Sequence, residues 1–307
     1  MLLFHIGYHK TASTFLQQAV FDQDSVFYRV NRRNIYHELV FPNPLTWDER
    51  AAKEFVVSEA AKAQRSGQIA VFSNERLAGG FHTGGHDSVE LLRRLKIVAP
   101  AAHVLLCIRE QASMIRSVYA QYVKAFGTVS LQEYCYPNYT PHDKEIFHLD
   151  VLEYHRLVER YIEVFGSQNV SVLPIEWLKN TPTRFFDEVY RIAGQKGFNS
   201  SNNPISNAVA KNVRMTPLQT RVLRRTGPFR CSTIPHIGAT YHYGLTSWCC
   251  RALVNIAGRL PAAGLNKKLD AQEQTFVDEI VSERFVQSNR KLEKLIGIDL
   301  GEIGYVV

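Results

Sequence analysis

Residues 4–17, Phe4-His5-Ile6-Gly7-Tyr8-His9-Lys10-Thr11-Ala12-Ser13-Thr14-Phe15-Leu16-Gln17, pass from an apolar strand through a hydroxyl-rich turn directly into a helix. A helix start leaves its first N–H groups without partners and carries partial positive charge, so such a turn is a ready cradle for an anion. Lys10 adds a full charge at its mouth. Thr11, Ser13 and Thr14 add hydroxyls at spacings that let at least two face one oxyanion, while Phe15 and Leu16 can anchor the helix in the core. A Ser/Thr N-cap with no ligand is the plain alternative. A Lys followed by three hydroxyls within four residues favours the ligand.

Beyond this unit the apolar pattern places strands at 2–8, 68–74, 103–108 and 169–175. Helices are expected at 13–22, 47–66, 88–98, 110–126, 151–165 and 181–193, with 28–46 irregular. Strands alternating with helices imply parallel crossovers and a doubly wound sheet. Past residue 200 the chain reads as helices at 216–225, 246–259 and 271–296, with loops at 200–204 and 227–244. The expectation is an α/β three-layer sandwich with a central parallel sheet. It forms a single domain over 1–307, residues 1–200 making the α/β core and 201–307 a helical and loop cover.

No apolar run reaches 18 residues, and a strand starting at residue 2 leaves no room for a leader. A cytoplasmic protein without integral membrane contact is expected, peripheral contact being left open. Five cysteines without a C-x-x-C pair argue against a disulfide framework or structural zinc, so Cys107, Cys249 and Cys250 read as reduced thiols. The formal charge of +7 suits an anionic partner. The basic clusters at 93–96, 221–225, 267–268 and 290–291 read as solvated helix faces, and no nucleic-acid motif accompanies them. A polyanionic small-molecule donor is sufficient reason for the surplus.

A triphosphate P-loop requires Gly immediately before its Lys. Here His9 precedes Lys10. A second segment narrows the anion further: the apolar run 103–108 ends at Arg109, at the carboxyl end of a buried strand where open α/β sheets bind ligands. Ser117 follows eight residues later, with Tyr119 beside it on the next helix. These two segments resemble the sulfotransferase family that uses 3′-phosphoadenosine 5′-phosphosulfate (PAPS), in its bacterial, carbohydrate-sulfotransferase-like form. The family's 5′-phosphosulfate loop, Pro-Lys-(Ser/Thr)-Gly-Thr-Thr-Trp-Leu, falls on His9-Lys10-Thr11-Ala12-Ser13-Thr14-Phe15-Leu16. His9 replaces Pro. Ala12 replaces Gly, which leads to the expectation that residue 12 avoids positive φ. The family's Arg, with Ser at plus eight and Tyr at plus ten, holds the 3′-phosphate, and Arg109, Ser117 and Tyr119 match that spacing. Residues 170–182 are similar to the family strand ending in Tyr-Glu-Asp-Leu-Lys, with Ile175 where the adenine-stacking Tyr stands, so adenine must be held otherwise. Residues 288–305 are similar to the tail of bacterial members.

The resemblance implies a P-loop-like form of the α/β sandwich with residues 1–200 as its nucleotide-binding core, PAPS as donor, adenosine 3′,5′-bisphosphate as product, no metal requirement, and a hydroxyl or amine acceptor, with carbohydrate sulfation of a glycan or glycolipid preferred. Donor-binding residues are then His9, Lys10, Thr11, Ala12, Ser13, Thr14, Phe15, Arg109 and Ser117. Sulfuryl transfer needs a cation for the leaving phosphate and a base for the acceptor proton. Lys10 suits the first task, with His9 beside it. For the second, Ser73-Asn74-Glu75 resembles the Ser-Ser-Glu segment of heparan-type enzymes and makes Glu75 the candidate, unless it merely pairs with Arg76 or Arg109. His82 and His86, in the glycine-rich stretch 79–86, are candidate acceptor contacts, and that glycine content forbids the helix that would make them a metal pair. Two other readings remain: a nucleotide-dependent kinase on a P-loop-like fold, disfavoured because Arg109 occupies the position of a magnesium-binding Asp, and a non-catalytic nucleotide or polyanion binder.

Overall fold

The computed structural model describes residues 1–125, 127–137, 147–195, 215–227, 244–259 and 261–307. Its strands are β1 (Leu2–His5), β2 (Phe27–Arg29), β3 (Ile69–Ser73), β4 (His103–Ile108) and β5 (Val170–Pro174). The helices of its first half are α1 (Ser13–Phe15), α2 (Arg32–Ile35), α3 (Glu49–Arg65), α4 (Ser88–Val98), α5 (Gln111–Lys124) and α6 (Leu131–Cys135). There follow α7 (Tyr154–Phe165), α8 (Trp177–Asn180), α9 (Pro182–Ile192), α10 (Pro217–Arg225), α11 (Gly244–Arg259), α12 (Ala263–Arg284) and α13 (Val286–Ile296). Two compact units result. One comprises Met1–Glu110, His148–Lys211 and Phe285–Val307, the other Gln111–Phe147 and Asn212–Arg284.

The first unit is an α/β layered structure around one all-parallel sheet of strand order β2-β3-β1-β4-β5. The alternation of side chains along each strand separates two apolar faces. Leu3, Val71, Leu105, Cys107 and Leu173 belong to a buried cluster with Leu16, Phe21, Phe185 and Phe186, from the helical turn after β1 and from α9. On the opposite face the rings of Phe4 and Phe72 meet at 5.5 Å, and Phe55 of α3 stands 5.9 Å from Phe72. Strands buried on both faces explain why their sequences read as continuous apolar runs.

Three sequence expectations need correction here. The stretch 28–46 is not irregular: it contains edge strand β2, helix α2 capped by the Asn31 side chain, and a π-helical turn at Tyr36–Val40. A three-residue strand carries too little alternation to be seen locally and exists because it pairs with β3. The helix expected at 13–22 is one α-turn that widens into a π-helix over Leu16–Phe21. The helix expected at 271–296 is two helices parting at Phe285, whose side chain is fully buried. The loop expected at 200–204 lies outside the described residues, as does the loop expected at 227–244 except for its two end residues.

The second unit holds α5, α6, α10, α11 and α12. Its α10 begins with a capping box in which Thr216 and Gln219 satisfy each other's backbone N–H groups, with Pro217 as the first helical residue. Among the described residues no helix is long and apolar enough to cross a membrane.

Candidate active site

Strand β1 lies between β3 and β4, and the chain leaves it on both sides of the sheet, so its carboxyl end is the topological switch point where ligands bind in such sheets. The turn after β1, Glu75 after β3 and Arg109 after β4 therefore stand at the carboxyl ends of three adjacent strands. The backbone of β1 continues along β4, with Ile6 N donating to Leu105 O at 3.0 Å and Tyr8 N to Cys107 O at 3.2 Å. Gly7 is required at this crossing. A Cβ there would stand 3.0 Å from both Cys107 Cβ and Thr11 Oγ1, tighter than nearly all real contacts.

The turn itself reverses one expectation. Ala12 adopts φ 57° and ψ 22°, the left-handed conformation, and Lys10 also has positive φ at 66°. These two left-handed residues turn the chain between Tyr8 and the first helical carbonyl, Ala12 O, which accepts from Leu16 N at 3.0 Å. Ala tolerates that conformation at about 1–2 kcal/mol because only a methyl group is crowded. The turn thus takes a left-handed backbone at Ala12, against the expectation from its side chain.

No side chain caps the helix that starts at Ser13. Ser13 Oγ is buried without a hydrogen-bond partner, a costly state unless a ligand completes it. Thr11 is fully buried, and its hydroxyl donates to Tyr8 O, holding the turn closed. Thr14 and Lys10 are exposed at the mouth, while Phe15 packs toward the core with its ring 6.2 Å from Phe186. Arg109 Nη1 donates to Lys10 O at 3.3 Å, and Tyr154 Oη donates to Arg109 O at 2.7 Å, so the Arg109 strand end and the turn form one assembly. An orphaned buried hydroxyl, an uncapped helix start and flanking cations fit a phosphate or sulfate group. Ser117 lies on α5 in the second unit, where Tyr119 Oη donates to Val129 O at 3.1 Å. Ile175 packs against the core cluster.

Glu75 is mostly buried and its carboxylate pairs with Arg32, not with Arg76 or Arg109. Arg76 pairs with Asp87 at 2.8 Å, and the other Asp87 oxygen accepts from Gly80 N at 2.7 Å. The Arg76 guanidinium lies where a Cβ on Gly80 would be, 2.1 Å from Nη1, so Gly80 makes that pairing possible. His9 is pushed down to about 4 by burial first, then by Arg76, Lys10 and Arg32. His82 is likewise pushed down to about 4 by burial, with His9, Lys10 and Arg76 adding to it. Both imidazoles are neutral at physiological pH. Phe81 stands between the glycine-rich stretch and the turn, its ring 5.8 Å from Tyr8 and 6.2 Å from His9. His86 instead meets His148, ring centroids 5.9 Å apart. A cavity of about 400 Å³ opens beside Tyr8, Gly80 and Phe81 and is walled by α7 residues including Arg156 and Arg160.

The sequence reading missed several of these residues. Arg32 leaves no local signal, since its partner is distant in sequence and the two meet only because β2 lies beside β3. Arg76 directly follows Glu75 at a strand end and was legible as a site residue. Behind the turn, Ser73 Oγ meets His5 Nδ1 at 2.7 Å and accepts from Gln17 Nε2 at 2.9 Å. This network ties β1, β3 and the turn's helix together. Among the described residues no group of three His, Cys, Asp or Glu side chains is arranged to hold a metal.

No family model matches the sequence, and no curated protein sequence does. Solved structures do match. The chain is similar to the crystal structure of a sulfotransferase from Alicyclobacillus acidocaldarius, with a TM-score of 0.50 and 16% identity over 98% of this chain and 97% of that one. At that identity the likeness shows the fold, an α/β P-loop-like architecture with helices flanking a parallel sheet.

Proposed function

We propose that this chain is a sulfotransferase that takes a sulfuryl group from PAPS to a hydroxyl or amine, the acceptor being a glycan or glycolipid. The observation that carries the reading is the turn at the switch point: left-handed Lys10 and Ala12, an uncapped helix start and the unpartnered Ser13 hydroxyl. A likeness in fold to a sulfotransferase supports it. PAPS supplies an activated sulfuryl group and a phosphate leaving group. The backbone of the turn, Ser13 and Thr14 are the groups to hold its 5′-phosphosulfate, with Arg109 for the 3′-phosphate. Lys10, already carrying a fixed charge at the mouth, offsets negative charge growing on the leaving oxygen.

On the acceptor side Glu75 accepts the proton of the attacking hydroxyl, and Arg32 holds its carboxylate in place. His82 shares the surroundings of His9 and Lys10 and lines the acceptor side, and the cavity beside Tyr8 gives the acceptor room. The transferred group carries less charge than a phosphoryl group, so the reaction is read as metal-independent, in a cytoplasmic setting.

Calorimetry with adenosine 3′,5′-bisphosphate tests the donor assignment. Arg109→Ala should weaken its binding by about 2–4 kcal/mol, the range for losing a charge-assisted contact and leaving its partner unpaired, and should leave adenosine 5′-monophosphate binding nearly unchanged. Equal losses for both nucleotides reject the 3′-phosphate role. Magnesium-dependent consumption of ATP in place of sulfuryl transfer would make the chain a kinase, and donor binding without turnover on any acceptor would make it a non-catalytic binder.

A further inference from the structure

Between Glu188 and Asp270 the sequence contains no Asp or Glu at all, while it carries twelve Lys and Arg residues. The chain's whole surplus of positive charge therefore lies in this stretch, and the remainder has more acidic than basic residues. Dispersed solvated helix faces do not produce so one-sided a segment. Charge asymmetry of this size marks a surface that meets a polyanion.

Within the second unit the same stretch supplies α10 and α11. Helix α10 covers one face of α11: Cys250 and Ala257 are buried there, and Gly258 admits the Gln219 side chain, which would stand 2.2 Å from a Cβ. The opposite face of α11 is inverted relative to a normal surface helix. Trp248 is 63% exposed, Leu253 51% and Ile256 55%. Trp248, Ala252, Ile256 and Arg259 follow at helical spacing, so these apolar groups form one stripe with an exposed cation at its end. Exposed Leu265, Lys267 and Lys268 continue the pattern at the start of α12. A large aromatic, two aliphatic side chains and basic residues with no acid among them match the two layers of an anionic bilayer surface: acyl carbons below, phosphate headgroups above.

We propose that the exposed face of α11, with the start of α12, docks this protein on an anionic lipid surface, with Trp248, Leu253 and Ile256 entering the headgroup boundary and Arg259, Lys267 and Lys268 engaging lipid phosphates. A sulfated glycan would use the cations but leave the stripe in water, and a single-stranded nucleic acid would stack a base on Trp248 but give exposed Leu253 and Ile256 no partner, which is why lipid is the occupant assigned.

Flotation of the full chain with phosphatidylcholine vesicles, with and without phosphatidylglycerol, tests this. Binding should be on the order of 100-fold tighter to the anionic vesicles, from about 1 kcal/mol for each of Arg259, Lys267 and Lys268 at the surface, and should weaken as salt rises. Tryptophan emission should shift to the blue on binding. Trp177 is buried against Arg184, and Trp47 is covered by Arg93 and Arg94, so Trp248 is the reporter, and Trp248→Phe should bind but show no shift. Trp248→Ser with Ile256→Ser should cut vesicle binding at least about tenfold, the loss expected from two partly buried apolar side chains, and leave binding of adenosine 3′,5′-bisphosphate unchanged. Equal affinity for both vesicle types, or no spectral shift in the unaltered chain, overturns the proposal. Retention of anionic-vesicle binding by the double variant, together with equally tight heparin or RNA binding, makes the face a general polyanion surface instead.

Discussion

The left-handed Ala12 offers a sharp test of the site, because one substitution changes sign with backbone conformation. Ala12→Gly removes a methyl group from a residue at φ 57°. Relief of the left-handed penalty contributes about 1–2 kcal/mol. Against it stand about 0.4–1 kcal/mol for the greater freedom of Gly in the unfolded chain and about 0.4 kcal/mol for a half-buried methyl group. The variant should therefore be more stable by about 0.5 kcal/mol. Ala60→Gly, the same chemical change in the interior of α3, should cost about 1 kcal/mol. Ala12→Val, which puts a β-branched side chain into the left-handed region, should destabilise clearly. Urea titrations followed by far-UV circular dichroism would resolve the three, since the Gly pair should differ by about 1.5 kcal/mol. If Ala12→Gly loses as much as Ala60→Gly and Ala12→Val is tolerated, residue 12 is not left-handed, and the argument that the turn keeps its cradle without a glycine fails.

Further outcomes follow from neighbouring residues. Lys10→Ala should lower turnover more than it weakens donor binding, because its charge acts mainly as negative charge develops; a rise in KM alone would make it a uniform binder. Glu75→Gln should cost about 10²- to 10⁴-fold in turnover with donor binding intact, and His82→Asn or His86→Asn should act chiefly on acceptor KM; near-normal turnover in the Gln variant and loss in a His variant would transfer the base role to histidine. Stability should fall as pH drops. His5, fully buried and held down to about 4, binds its proton more readily in the unfolded chain, where its pKa returns to 6.5. Its contribution is therefore complete above pH 6.5 and is lost as pH falls toward 4, by up to about 3 kcal/mol. His5→Gln should flatten that part of a pH–stability curve, and an unchanged slope would assign the loss to other groups.

Much of the fold was legible in the sequence because its signals are local. Four of the five strands are apolar runs buried on both faces, and the helices between them carry their own periodicity, as α4 does with Leu91, Leu92, Leu95 and Val98 buried. The lysine and hydroxyls of the turn were legible for the same reason: a strand, seven residues and a helix fix where they stand. Strand β2 was not legible. Its three residues become a strand only by pairing with β3, and the Arg32–Glu75 contact depends on that pairing. Nor could the sequence give the conformation of Ala12, since side-chain chemistry alone disfavours positive φ there; the turn's closure between β1 and its helix imposes it. The sequence by itself determined which chemical groups this protein carries and on which elements. The tertiary structure decided which of them meet, which are neutral through burial, and which helix shows its apolar face to water, because each of those depends on neighbours distant along the chain.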